Sequence, residues 1–290
     1  MRWVQVLVLG LLLGGVYAMM ASGLTLLFGV MRVVNLAHAA FMLVASYLTY
    51  VLFESFAVDP MISLIITMPL MFGLGVALYL LLFPRLEDNP RYVEMTVLLT
   101  FGLALIVEGA LTAIFTGIFR SVRPEYATTS INIGDLFIPT SQFYASMISL
   151  GLLILLWVVL RFTKTGTAVR ATMQNRAAAQ TVGVNVRRVS AIAFGMGMAL
   201  AGAAGSLLSF MFPFFPARHW QWVALLLALI VLGGMGSIKG AVIGAMVLAV
   251  ASAFASTIIG PTWSPITFYL TLFLILMLRP EGLFGAKVRL

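Results

Sequence analysis

Between Val4 and Val30 the chain runs for 27 residues without a charged side chain. A run of that length exceeds the about 20 residues that a helix needs to cross the hydrocarbon of a bilayer. It also exceeds the core of a cleavable signal peptide, about 7 to 15 residues, so it is read as a span retained in the mature protein. Comparable runs recur at Val4–Met31, Val33–Phe53, Met61–Phe83, Val93–Phe119, Phe143–Leu160, Ala191–Phe212, Trp222–Ile238, Ala241–Ile259 and Ile266–Leu278. About nine spans are expected, within a range of eight to ten. Runs this long close their backbone hydrogen bonds in lipid as helices. The expected fold class is therefore all-α, a polytopic integral membrane protein with broken or re-entrant segments. Composition agrees: 62% of residues are hydrophobic and 9% charged, against roughly 25% charged in soluble domains. No soluble domain fits between the runs, and residues 1–290 are read as one transmembrane domain. Cysteine is absent, which excludes disulfides and thiolate metal sites.

One long polar segment interrupts the pattern, RFTKTGTAVRATMQNRAAAQTVGVNVRRVS, residues 161–190. It carries six of the seventeen basic residues and no acid. Short loops rich in Lys and Arg face the cytoplasm. Alternating outward from this loop places the N-terminus outside and the C-terminus inside, with thirteen of the seventeen basic residues on the inner face. Only Arg2, Arg120, Arg123 and Arg218 then lie outside. The net charge of +8 is thus spread over loops by topology, not gathered on a face for nucleic acid. Within the loop, residues 168–181 are rich in good helix formers, with Thr167 as a candidate N-cap and Gly183 as a stop. A basic helix here could rest on anionic headgroups. It could equally dock a cytoplasmic partner, since Ala177, Ala178 and Ala179 present a small, approachable surface and no Trp or Phe favours lipid.

On the other side, residues 120–142 hold Pro124, Asn132, Gly134, Asp135 and Pro139, the turn chemistry of an external loop with room for a short hairpin or helix. Phe210, Phe212, Phe214, Phe215, Trp220 and Trp222 are expected to form an interfacial aromatic belt. Two stretches break the apolar pattern more abruptly. GVMRVVNLAHAAF (29–41) inserts Arg, Asn and His, and LGGMGSIKGAVIG (232–244) inserts five glycines and a Lys. Paired interruptions of this kind point to broken helices lining a path for solute, with Asn35, His38, Gly233, Gly234, Gly236 and Ser237 as pathway candidates. The alternative for both stretches is a tight inner turn between hairpin helices.

The chemistry of an enzyme is missing. No HExxH, GxSxG or paired carboxylate occurs, and the two histidines, His38 and His219, fall on opposite sides of the expected topology, so neither a catalytic nor a metal site is expected. No cofactor is expected on this chain. GGMGSIKG lacks the Walker A spacing, so ATP, if used, is bound by another polypeptide. Glu108 is the one acid well inside a span, and would be the coupling residue of an ion-driven carrier for a small organic solute such as an amide or urea.

Three motifs in order carry a resemblance: GGVYAMMASGLTLLFGVMRVVNLAHAAFMLVASYLTY, TGTAVRATMQNRAAAQTVGVNVRRVSAIAFGMGMALAGAAGSLL, and VLGGMGSIKGAVIGA followed by RPEGLFG. Together they resemble the permease subunits of branched-chain amino acid ABC importers over nearly the whole chain. The resemblance implies that residues 165–189 form the loop that fits a groove on an ATP-binding subunit. Arg170, Gln174, Asn175, Ala178, Ala179 and Gly183 match the family's coupling pattern. It also implies a bacterial-type inner membrane, a second permease subunit in a hetero- or homodimeric core, two ABC ATPase subunits inside and a solute-binding protein outside. The chain departs from the family where Ala39 follows His38 in place of the common Gly, and where Ser46 precedes Tyr47.

Overall fold

The computed structural model describes residues 2–87, 89–279 and 282. Most of the RPEGLFG motif, with Lys287 and Arg289, lies outside them. The described chain is helical apart from one hairpin. Its elements are α1 (Arg2–Met31), α2 (His38–Phe56), α3 (Pro60–Leu82), α4 (Tyr92–Phe115), β1 (Ser130–Ile133), β2 (Leu136–Pro139), α5 (Thr140–Phe162), α6 (Lys164–Gln174), α7 (Arg176–Thr181), α8 (Val186–Met211), α9 (His219–Gly233), α10 (Ile238–Ile259) and α11 (Ile266–Leu278). Among the described residues eight helices are long and apolar enough to span a bilayer. The thirteen-residue α11 is apolar but shorter.

The bundle is organised around α8, which packs against α1, α2, α3 and α5. Of its apolar stretch 83% is buried, against 17% for α4, which stands at the periphery. Without water to drive helices together in lipid, small residues and hydrogen bonds must do so. Here a buried hydroxyl ladder joins α2, α3 and α8. The Thr49 hydroxyl donates to Ser206 Oγ at 2.9 Å, Ser206 and Thr67 lie 2.9 Å apart, and Ser46 donates to the Gly205 carbonyl at 2.8 Å. A model-peptide value of about 1–2 kcal/mol per such bond is an upper figure.

The two ends of the bundle differ. One, the basic end, gathers the 83–91 turn, α6 and α7, and the α9–α10 turn. The other, the hairpin end, is stitched to the start of α1 by side-chain hydrogen bonds. Gln5 accepts from the Phe137 amide at 2.9 Å, Gln142 donates to the Leu9 carbonyl at 2.7 Å, and Arg2 donates to the Thr257 carbonyl at 3.2 Å. The external-loop stretch does carry a hairpin, β1 paired antiparallel with β2, turned at Gly134 with φ +59°. Beside it, Tyr126 donates to Asp59 Oδ1 at 3.2 Å; burial, and then the Asp59 carboxylate, push the phenol well above its usual range.

Two expectations are corrected. The aromatic residues near 210–222 do not form a belt throughout: Phe210, Phe214 and Trp222 are buried. Phe214 meets Tyr47 edge-on at 4.9 Å, and Phe210 meets Tyr126 at 5.6 Å. A β-bridge pairing Arg120 with Phe214 folds the segment after α8 back over the bundle, and Phe210 and Trp222 face inward from α8 and α9. The polar loop is also not one helix over 168–181. It divides at Asn175, whose extended backbone (φ −153°) ends α6 and whose Oδ1 accepts from the Ala178 amide at 3.0 Å to cap α7. The N-cap of α6 is Thr163, accepting from the Gly166 amide at 2.9 Å, four residues before the expected Thr167.

Candidate functional site

The stretches 29–41 and 232–244 come to the same part of the molecule but are built differently. In the first, α1 ends at Met31, Arg32 takes φ +58°, and residues 32–37 return into the bundle without helical structure. Asn35 shapes the return, its Oδ1 accepting from the Ala37 amide at 3.0 Å. The Leu36 amide donates to Thr100 Oγ1 at 3.3 Å. The new helix starts at His38 beside Gly23, where an added β-carbon would lie 3.2 Å from the imidazole Cε1. Gly23 is eight residues, about 12 Å, before the end of α1, and Thr100 is equally far into α4. The segment is therefore a re-entrant break well inside the bundle.

Several of its polar atoms are not used in holding the fold. His38 is fully buried and neither ring nitrogen has a hydrogen-bond partner among the described residues. Asn35 Nδ2 and Thr25 Oγ1 are buried and unpartnered as well. Such a group costs about 1–3 kcal/mol when left unsatisfied. Buried polar atoms of this kind are available to hydrogen-bond water or a polar solute.

In the second stretch α9 and α10 close into a tight turn. A β-carbon on Gly233 would overlap the Gly240 backbone, and one on Gly244 would lie 3.0 Å from the Gly233 nitrogen. Gly234 and Gly236 take φ +90° and +86°. Ser237 Oγ caps α10, accepting from the Gly240 amide at 3.1 Å. Gly236 packs beside Gly29 near the end of α1, so this stretch is a turn at the basic end.

α6 and α7 lie across that end. Gln174, Asn175, Ala177, Ala178, Gln180, Thr181 and Gly183 are exposed, whereas Ala179 is buried and faces the bundle. Arg170 is half-buried along α6. Gly183, at φ +86°, closes α7: its amide donates to the Gln180 carbonyl and the Val184 amide to the Ala179 carbonyl, each at 3.0 Å. Two attachments tie this pair to the membrane helices. Arg176 meets Glu87 at 2.7 Å, and Tyr79 donates to the same carboxylate oxygen at 2.9 Å. Burial opposes the charge on Arg176, but the hydrogen bond and charge of Glu87 more than offset it and raise its pKa. At the other attachment, Arg32 donates to the Met173 carbonyl at 3.1 Å while the Met173 methyl covers Gly29.

Two further groupings escaped the sequence. Glu108 accepts from Trp220 Nε1 at 2.9 Å and lies 3.1 Å from His219 Nε2, latching α4 to α9 across 111 residues of chain. At the hairpin end, a cavity of about 420 Å³ between α1, α9, α10 and α11 is lined by Tyr17, Arg218, Gln221, Trp222, Ser252 and Phe268 among others. Only the polar–apolar alternation in HWQW, with Arg218 before it, hinted at that wall.

The sequence matches, over residues 6–278, the family described as branched-chain amino acid transport system permease component. The chain belongs to that family. The permease is 31% identical to a probable branched-chain amino acid transport permease protein LivH of Methanocaldococcus jannaschii, an alignment covering 77% of this chain and 71% of the relative. It is 25% identical to the high-affinity branched-chain amino acid transport permease LivH of Salmonella typhimurium, covering 95% and 93%. Against BraD of Pseudomonas aeruginosa the identity is 25%, covering 98% and 96%. Its fold resembles PsaBC from Streptococcus pneumoniae, solved in complex with Fab, with TM-score 0.50 at 14% identity over 98% of this chain and 94% of that one. The permease is a polytopic membrane transport subunit, as its helices and its family both require.

Proposed function

We propose that the permease is the membrane-spanning subunit of an ATP-driven importer for branched-chain or related small amino acids, with ATP hydrolysed by separate cytoplasmic ABC subunits. The observation that carries this reading is the exposed α6–α7 pair at the basic end, tied to the α3–α4 turn through Glu87 and to the α1 break through Met173 and Arg32. A partner that seats on Ala177, Ala178 and Gln174 and then moves would displace both attachments together. The basic end is then cytoplasmic, in keeping with its Lys and Arg. A second permease subunit completes the core and a solute-binding protein delivers from the hairpin end. Solute passes the re-entrant break at Asn35 and His38 as the helical groups rock between outward- and inward-open states. Arg218, in the cavity at the hairpin end, is placed to meet a carboxylate while Leu13, Leu225 and Phe268 meet an aliphatic side chain. An ion-driven carrier using Glu108 has less support, because two donors already hold that carboxylate.

The test is co-purification of the tagged permease from its native membrane with and without Ala178→Arg. A stoichiometric ATP-binding subunit, lost in the exposed Ala178→Arg variant while the permease stays folded, is the expected result. A permease that purifies alone and transports on an ion gradient after reconstitution would overturn the proposal.

A further inference from the structure

A groove of about 850 Å³ runs along the outside of the bundle from the basic end, between α5, α6 and the first turns of α10. Its character changes along its length. Arg161, Arg170 and Lys239 stand at the basic end. Further from that end along the same helices the walls are Leu153 and Leu156 of α5 and Val242 and Ile243 of α10. Leu153 lies eight residues, about 12 Å, from Arg161 along α5. Trp157, between the two zones, is 54% exposed, the position of a membrane-interface anchor.

Among the described residues no acid lines the groove. Among the described residues none of the three cations is in an ion pair. Arg170 Nε is buried without a partner, and its terminal nitrogen makes only long contacts, 3.4 Å to the Arg161 carbonyl and 3.5 Å to Thr167 Oγ1. Ser237 and the start of α10 add the positive end of a helix to the same place. Three uncompensated cations call for an anion, while the leucine and valine walls call for hydrocarbon chains. A soluble anion would leave the walls uncovered, and a neutral lipid would leave the cations unpaired.

We propose that this groove binds an anionic phospholipid, its phosphate among Arg161, Arg170 and Lys239 and its acyl chains along Leu153, Leu156, Val242 and Ile243. The lipid braces α6 against α5 and α10. Because Met173 on α6 also covers Gly29, the bound lipid sets how firmly the loop is held to the α1 break. The proposal rests on the fold and stands whether or not an ATPase seats on α7.

The experiment is native mass spectrometry of the purified permease titrated with phosphatidylglycerol or phosphatidylcholine, alongside thermal unfolding in each lipid. Phosphatidylglycerol is expected to be retained preferentially and to raise the unfolding midpoint. The double variant Arg161→Gln, Lys239→Gln should weaken that retention by roughly twenty-fivefold, about fivefold per basic residue. The control is Arg187→Gln, Arg188→Gln, which removes the same charge from exposed positions at the same end but outside the groove, and should retain the lipid. Ile243→Trp, which fills the apolar part without touching charge, should also release it. Equal loss in the control would reduce the effect to general surface charge and overturn the site. Equal retention of both lipids, or a second protein chain found covering the groove in the purified complex, would do the same.

Discussion

Residues 29–41 and 232–244 look alike as sequence, each a polar or glycine-rich interruption of apolar chain, yet one is a re-entrant break and the other a packed turn. The difference lies in where the backbone and side-chain polar groups are satisfied. In the second stretch two helices approach to backbone contact, Ser237 caps the outgoing helix, Gly233 and Gly244 serve close packing, and Gly234 and Gly236 take a positive φ. In the first, the return of the chain leaves His38 and Asn35, with Thr25 of α1, holding polar atoms that no described residue answers. The glycines and Ser237 of the second stretch are used by the turn itself, whereas the first carries buried polar atoms that the described fold does not pair.

That contrast can be broken by substitution. Gly233→Leu should have the largest effect, since the new side chain overlaps the Gly240 backbone. Overpacking of this kind costs about 3 kcal/mol or more, and little monodisperse protein is expected on size exclusion. His38→Leu keeps the volume and removes two unpartnered nitrogens, so the unfolding midpoint should stay level or rise while uptake into proteoliposomes falls at least about tenfold. If His38→Leu destabilised the protein as Gly233→Leu does, the two stretches would be the same kind of feature. Met173→Ala is the smallest change. It uncovers Gly29 and should cost about 1–2 kcal/mol, toward the low end for a partly buried methionine. On the proposed ATP-driven reading, its sharper signature is more ATP hydrolysed per solute moved, because the loop would lose its grip on the break.

Much of this architecture was legible in the sequence. The spans follow from uncharged runs, the 120–142 loop from its turn residues, and the end of α7 from Gly183, which supplies the positive φ. The elbow at Asn175 was not legible, because three alanines beyond it argue for continuous helix, while one side-chain cap decides otherwise. Nor was the inward face of Ala179, since three identical side chains in a row carry no periodicity. Depth was hidden for a related reason. Whether a chain turns at the end of a bundle or re-enters it depends on neighbours such as Gly23 and Thr100, far away in sequence. The Glu108–His219–Trp220 latch is likewise a product of tertiary structure, and no local spacing announces it.

The elbow has a consequence for how displacement is shared. A rigid rod lying across the basic end would deliver any push at one end undiminished to the other. With α6 and α7 articulated at one residue, a load on α7 first reaches Arg176 and Glu87, and reaches Met173 only to the extent that Asn175 resists bending. The α3–α4 turn should therefore move early and the end of α1 late, so that a single stroke arrives as two events separated in time, their interval set by the compliance of one asparagine cap.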